Sequence, residues 1–320
     1  MVFKTPNIVE IDDLCVSFPT EKGDLKAVDH LSLSINQGEL LGLVGESGCG
    51  KSTLGFSLLK AVPPPGKVTC GKIVVDSVDL DTLKGESLRR FRWKNVAMVF
   101  QSAMNALDPV KTVEVQMLET IMQHEKITKE DAEKRITRLL GLVRIDKERK
   151  KAFPHELSGG MRQRIVIAMA LCLEPKVLIA DEPTTALDVV VQAGVLRTIK
   201  ELQKELGITI ILISHDASIM WEVSDRLAVM YAAKLVEVGN TIEVVGNPRH
   251  PYTEALLKAV PVLGVDQQVI KGIPGSPPSL IAPPQGCRFN PRCPYVFDKC
   301  RIDEPHLTRN NGYAACWLRE

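Results

Sequence analysis

Residues 45–52, Gly-Glu-Ser-Gly-Cys-Gly-Lys-Ser, constrain this chain more than any other stretch. They fit the pattern G-x-x-x-x-G-K-[ST] without mismatch. Before them lies LLGLVG (40–45), an apolar run short enough for a buried strand; after them KSTLGFSLLKAV (51–62) is helical in pattern. In that setting the glycines let consecutive backbone N–H groups turn inward around phosphate oxygens. The helix N-terminus adds a favourable dipole, Lys51 neutralises β/γ charge and Ser52 offers a hydroxyl to Mg²⁺. Gly45, Glu46, Ser47, Gly48, Cys49, Gly50, Lys51, Ser52 and Thr53 are therefore the predicted cradle for ATP. Cys49 serves through its backbone, and its thiol is incidental.

The rest of the chain extends this strand–loop–helix unit. Residues 8–18 and 31–35 read as strands around a polar turn at Thr20 to Asp24, and 71–76 as another. Pro63-Pro64-Pro65-Gly66 ends the first helix. Roughly 112–174 is a string of amphipathic helices, for example KEDAEKRITRLLGLV (129–143). Alternation then returns: VLIAD (177–181) a strand, 191–206 a helix, ITIILIS (208–214) a strand. The expected fold is α/β, with a mainly parallel core sheet, an N-terminal antiparallel β part and a helical insert at about 104–174. A main domain over 1–260 is followed by a proline- and cysteine-rich extension over 261–320.

A second carboxylate centre follows the predicted strand 177–181. Asp181 ends a buried strand and would hold Mg²⁺; Glu182 is placed to polarise an attacking water. By themselves the two carboxylates could equally cap the next helix.

Leu157-Ser158-Gly159-Gly160-Met161-Arg162-Gln163-Arg164 narrows the class. The Ser158 hydroxyl and the Gly159 and Gly160 amides open a helix, which is either a plain cap or a second anion site. The segment resembles the L-S-G-G-Q signature of ABC ATPases, with Met161 where glutamine is most frequent. With the two centres above in order, residues 1 to about 260 resemble an ABC nucleotide-binding domain, a P-loop NTPase. The resemblance implies that Ser158 and Gly159 close on ATP held by another subunit. It implies that Gln101, after AMVF, touches Mg²⁺ and water and senses a membrane partner. Asp188, in Ala186-Leu187-Asp188, would communicate across the dimer, His215 would contact the γ-phosphate, and Phe18 would stack on adenine. A lone Phe is also an ordinary core residue.

Eight cysteines divide into four scattered ones (Cys15, Cys49, Cys70, Cys172) and a crowded set, Cys287, Cys293, Cys300 and Cys316, spaced by five, six and fifteen residues. The stretch 286–294 and the prolines before it resemble the C-terminal extension of oligopeptide and dipeptide permease ATPases. Four thiolates suit Zn²⁺ or an iron–sulfur cluster. Tight C-x₂₋₄-C pairs are missing, and the resemblance favours a [4Fe–4S] cluster over zinc.

Forty basic residues against 39 acidic ones provide no field for nucleic acid. The N-terminus has no apolar stretch behind a basic region, and the most apolar segment, 165–180, is broken by Glu174, Pro175 and Lys176, whereas a span needs about 20 apolar residues. The expectation is a soluble subunit at the cytoplasmic face of the membrane. Its implied partners are a second nucleotide-binding domain, identical or homologous, two transmembrane permease subunits and an extracytoplasmic substrate-binding protein. Its implied task is to energise import of di- or oligopeptides, nickel or related small solutes. The alternative is a non-transport ABC ATPase in DNA repair, chromosome organisation or translation; the long coiled coils, tandem ATPase domains and basic stripe of such chains are missing here.

Overall fold

The computed structural model describes residues 6–259, 272–307 and 313–319, the side chain of Ser218 excepted. In chain order the elements are β1 (Asn7–Thr20), β2 (Gly23–Asn36), β3 (Leu40–Val44), α1 (Lys51–Leu58), β4 (Lys67–Val75), β5 (Val78–Asp79), α2 (Gly85–Lys94) and β6 (Val96–Val99). Then come α3 (Val113–His124), α4 (Lys129–Leu142), α5 (Gly159–Ala170), β7 (Val177–Asp181), α6 (Val189–Leu206) and β8 (Thr209–Ser214). Last are α7 (Ala217–Val223), β9 (Arg226–Tyr231), β10 (Lys234–Asn240), α8 (Thr241–Gly246), α9 (Pro251–Lys258) and α10 (Asp298–Ile302).

These elements fall into two compact units, residues 1–36, 41–81 and 212–320 in one and 37–40 and 82–211 in the other. In the first, β1 and β2 form a long antiparallel hairpin, turning at Glu21-Lys22 inside the predicted turn, and β4 pairs on the other side of β1. The sheet order is β2-β1-β4-β5. Alternation decides which face is buried: Val9, Ile11, Leu14 and Val16 of β1 are buried with Leu31, Leu33 and Ile35 of β2. Nearby β3 is buried along its whole length and runs parallel to β9, with Val44 opposite Val229; β10 returns antiparallel to β9. A strand covered on both faces has no polar alternation to display, and LLGLV shows none.

In the second unit β6 runs parallel to β7, pairing Val96 to Val99 with Val177 to Ala180. The first residues of β8 continue this region: Thr209 donates its N–H to Lys176 O and Ile210 to Glu39 O. Between β6 and β7 the chain carries the helices α3, α4 and α5. Thr112 and Thr128 cap α3 and α4 by accepting from the N–H groups of Val115 and Asp131. On α4, Ala132, Ile136, Leu139 and Leu140 form the buried stripe.

Two expectations need adjusting. Helix α1 stops at Leu58, ahead of the prolines, because Lys60 takes a positive φ of 50° and its N–H and that of Ala61 close back on Ser57 O and Phe56 O. Cys15 and Cys70, scattered in the sequence, are direct cross-strand partners on β1 and β4 and are disulfide-bonded. Residues 261–271, where the predicted extension starts, lie outside the described residues. Among the described residues no helix is long and apolar enough to cross a membrane.

Candidate functional site

The phosphate loop follows β3 directly and ends at Lys51, the first residue of α1. Its shape depends on glycine at two points. Gly45 and Gly50 have φ of 154° and 107°, and a Cβ on either would run into a backbone carbonyl, that of Met230 or of Ala27. Lys51 is buried, and its ammonium bonds to Gly45 O (2.7 Å) and Glu46 O (3.0 Å) inside the loop. A cation fixed at the mouth of a helix N-terminus is suited to anionic oxygens. Ser52 and Thr53 follow on the first turn of α1. Cys49 is buried, and burial pushes its thiol up despite the neighbouring Lys51. The thiol form is therefore favoured.

Glu46 takes part through its side chain as well as its backbone. Its carboxylate accepts a two-pronged bond from Arg292, Nη1 to Oε2 at 2.8 Å and Nη2 to Oε1 at 3.0 Å, and its N–H donates to Tyr252 Oη at 2.9 Å. Arg292 also donates to Pro274 O, Ile273 O and Tyr231 Oη. The Glu46 carboxylate beside it holds this guanidinium above its ordinary range. The hairpin turn after β9 is tied in too: Ala233 N–H donates to Cys49 O. Phe18 sits half-buried near the end of β1, with its ring against Gly66, and His215 is exposed just after β8.

In the second unit, Asp181 ends the fully buried β7 and is itself buried. Glu182 follows with a positive φ of 46°, a conformation that a non-glycine residue holds only at a cost of about 1–3 kcal/mol and that clusters at working sites. Glu182 Oε2 accepts from Gln101 Nε2 (2.8 Å) and from Thr185 Oγ1 (3.1 Å). The structure thus joins Gln101 to the carboxylate expected to organise water. Ser158 caps α5, its Oγ accepting from Met161 N–H at 3.3 Å, while remaining exposed. Gly160 packs so closely on Val191 that a Cβ would overlap its side chain. Asp188 caps α6 through Val191 N–H (3.0 Å) and is exposed as well. Signature turn and Asp188 loop thus lie side by side, and both open helices.

The extension belongs to the first unit. Cys287, Cys293, Cys300 and Cys316 line one small cavity with His250, Phe289, Tyr295 and Trp317, and none is disulfide-bonded. Burial pushes the Cys287 thiol up to about 12 and raises those of Cys293 and Cys316. Burial thus favours the neutral thiol at these positions. Among the described residues, Cys15, His30 and Cys70 are the only three donors within 4.8 Å of one another. The segment is anchored by Arg288, which pairs with buried Asp29 and the Ala232 carbonyl, and by an edge pairing of Val238 N–H to Tyr313 O and Ala315 N–H to Val236 O. Neither arginine could be found from periodicity; the only sequence signal was the run Gly-Cys-Arg-Phe-Asn-Pro-Arg-Cys that carries both.

Comparison with known proteins agrees with this geometry. A family described as ABC transporter matches residues 28–185, and one described as oligopeptide/dipeptide transporter, C-terminal region, matches residues 236–300. The chain is 43% identical to the dipeptide transport ATP-binding protein DppD of Bacillus subtilis, over 98% of this chain and 95% of that one. To the oligopeptide transport ATP-binding protein OppD of the same organism it is 42% identical, over 99% and 90%. Among solved structures it resembles CbiO1 from Clostridium perfringens, part of the ABC transporter complex CbiONQ, with a TM-score of 0.67 at 29% identity, over 75% of this chain and 91% of that one. The dimeric post-hydrolysis structure of the ATP-binding cassette MJ0796 with ADP and Pi gives a TM-score of 0.63 at 25% identity, over 73% and 98%.

Proposed function

The chain belongs to the ABC transporter family, in its oligopeptide/dipeptide branch, and from that premise we propose a residue-by-residue account of how it hydrolyses ATP to energise a peptide importer. The observation that carries the account is the pair of prepared centres: a loop that folds a buried lysine into a ring of backbone, and a strained Glu182 held by Gln101 and Thr185.

The loop amides and Lys51 bind the phosphates, and Phe18 stacks on the adenine. Ser52 and Asp181 would offer the hard oxygen donors that Mg²⁺ prefers, and the ion would supply neutralisation of phosphate charge. Glu182 accepts the proton of the attacking water, with Gln101 orienting its carboxylate and His215 contacting the γ-phosphate. Ser158, Gly159 and Gly160 serve a nucleotide bound by a second nucleotide-binding domain, a role supported by the exposure of Ser158, whereas the cradle lysine is buried. Asp188, beside them, carries the state of one site to the other. The dimeric relative with ADP and Pi supports this two-subunit reading. Its other partners are two transmembrane subunits and an extracytoplasmic binding protein, with this chain at the cytoplasmic face.

Arg292 is a positioning residue for the loop. By gripping Glu46 it fixes the loop's second residue, and the same side chain ties down the segment 273–274. The four tail cysteines, which line one small cavity, would hold a [4Fe–4S] cluster, whose chemistry here would be structural ligation.

The test is Glu182→Gln. Turnover should fall by about 10²–10⁴-fold, the usual worth of a general base, while ATP remains bound and holds two domains together. Unimpaired steady-state turnover would remove Glu182 from the mechanism.

A further inference from the structure

Three strands of the antiparallel sheet become irregular at one level. Register shifts interrupt β1 against β2 between Ile11 and Leu14 and again between Leu14 and Val16, and against β4 between Asp12 and Cys15. Asp13 on β1, His30 on β2 and Gly71 on β4 all have positive φ, at 49°, 50° and 88°. Bulges of this kind re-aim side chains that a regular strand would send to opposite faces. Here they gather Cys15, Cys70 and His30, one donor atom of each lying within 4.8 Å of the other two. Behind the imidazole stands Asp13, its Oδ1 2.8 Å from His30 Nδ1. Cys15 is buried and Cys70 half-buried, while His30 and Asp13 are exposed, so the group is reachable from one side. It shares no donor with the tail cysteines or with the ATP-binding residues.

Two sulfurs and an imidazole, with a carboxylate fixing the imidazole, form the donor set of a thiophilic divalent ion. Three protein ligands leave one coordination position open, and a ring whose Nδ1 is held by Asp13 keeps Nε2 as its lone-pair donor. The geometry points to a zinc-class metal site made by Cys15, Cys70 and His30 in the dithiol form of the protein, for which the disulfide is the closed form. Opening it takes two electrons. Two equivalents of a small thiol become its disulfide, and Cys15 and Cys70 each gain a hydrogen. Metal binding then displaces one proton from each of the two thiols to solvent. The inference is independent of the ATPase reading, because no residue of that machinery takes part.

The experiment titrates Zn²⁺ into the full-length protein against a chromophoric chelator, after thiol reduction and anaerobic removal of the reductant. The disulfide form, Cys15→Ser/Cys70→Ser, His30→Ala and Asp13→Asn are measured beside it, with the tail cysteines unchanged throughout. The reduced wild type should take up one Zn²⁺ more than either the disulfide form or the double serine variant. Asp13→Asn should weaken that extra site about 10–100-fold, the usual effect of losing an outer carboxylate, and His30→Ala at least as much. With Co²⁺, thiolate-to-metal charge-transfer absorption should appear in the reduced wild type beyond that of the double variant. Equal zinc uptake by reduced wild type and double variant would overturn the site. So would unchanged affinity in His30→Ala.

Discussion

The phosphate loop and the cysteine-lined tail are both short irregular segments of one compact unit, and they are held in opposite ways. The loop is shaped by its own backbone: glycines at positive φ, a buried strand before it and a helix after it. The tail has little regular structure among the described residues and is fixed by long side chains, Arg288 on Asp29 and Arg292 on Glu46, and by an edge pairing to β10. A segment too small to own a core must borrow its order, from neighbours and from whatever its cysteines bind. The difference teaches that the loop's conformation is written in its own glycines and the tail's in distant side chains, with Arg292 steadying the loop from the tail.

The largest expected effect lies in the loop. Lys51→Ala should lower turnover by about 10²–10³-fold, the scale of losing one preorganised cation or donor, while iron or zinc content stays unchanged. Parallel loss of metal would break the claim that the loop and tail are held separately. Cys300→Ser should do the converse. Metal analysis should show the tail depleted, and calorimetry a melting temperature lower by about 5–10 °C, taking 1 kcal/mol as about 2–4 °C in a large chain. Arg292→Gln sharpens the connection: the KM for ATP should rise about 3–10-fold with kcat changed far less, and Arg292→Lys should recover part of it. The bidentate charged contact is worth about 1.5–3 kcal/mol, only part of which reaches the nucleotide. A fall in kcat with KM unchanged would assign Arg292 a different role.

The smallest effect concerns pH. Burial pushes the Asp29 carboxyl up, but Lys234, Arg288 and Lys26 together hold it below its ordinary 3.8. Its contribution is therefore complete above pH 3.8 and is lost as pH falls through the lower folded value. Acid unfolding below pH 4 should be less steep in Asp29→Asn, which is already destabilised at neutral pH.

Much of the loop and little of the tail's anchoring could be read in advance. Strand β7, helix α6 and strand β8 emerge within two residues of expectation, because apolar runs bounded by polar turns leave few alternatives. The β9–β10 hairpin escaped notice for a definite reason. Its two-residue turn is Ala232-Ala233, both at positive φ (46° and 69°), where asparagine and glycine would have signalled it. The missing chemistry is made up by bonds from elsewhere: Arg288 donates to Ala232 O, and Asp29 N–H to Ala233 O. The Glu46–Arg292 contact spans 246 residues and the Cys15–Cys70 pairing 55, and no local pattern encodes either. Register across β1 and β4 depends on bulges that periodicity treats as noise.

The most direct test of the transport reading is ATP hydrolysis by the chain co-purified with its membrane subunits, with and without binding protein loaded with di- or oligopeptide. The account predicts hydrolysis stimulated by the loaded peptide and abolished by Glu182→Gln. Hydrolysis indifferent to peptide and membrane subunits, or stimulated by nucleic acid instead, would contradict it.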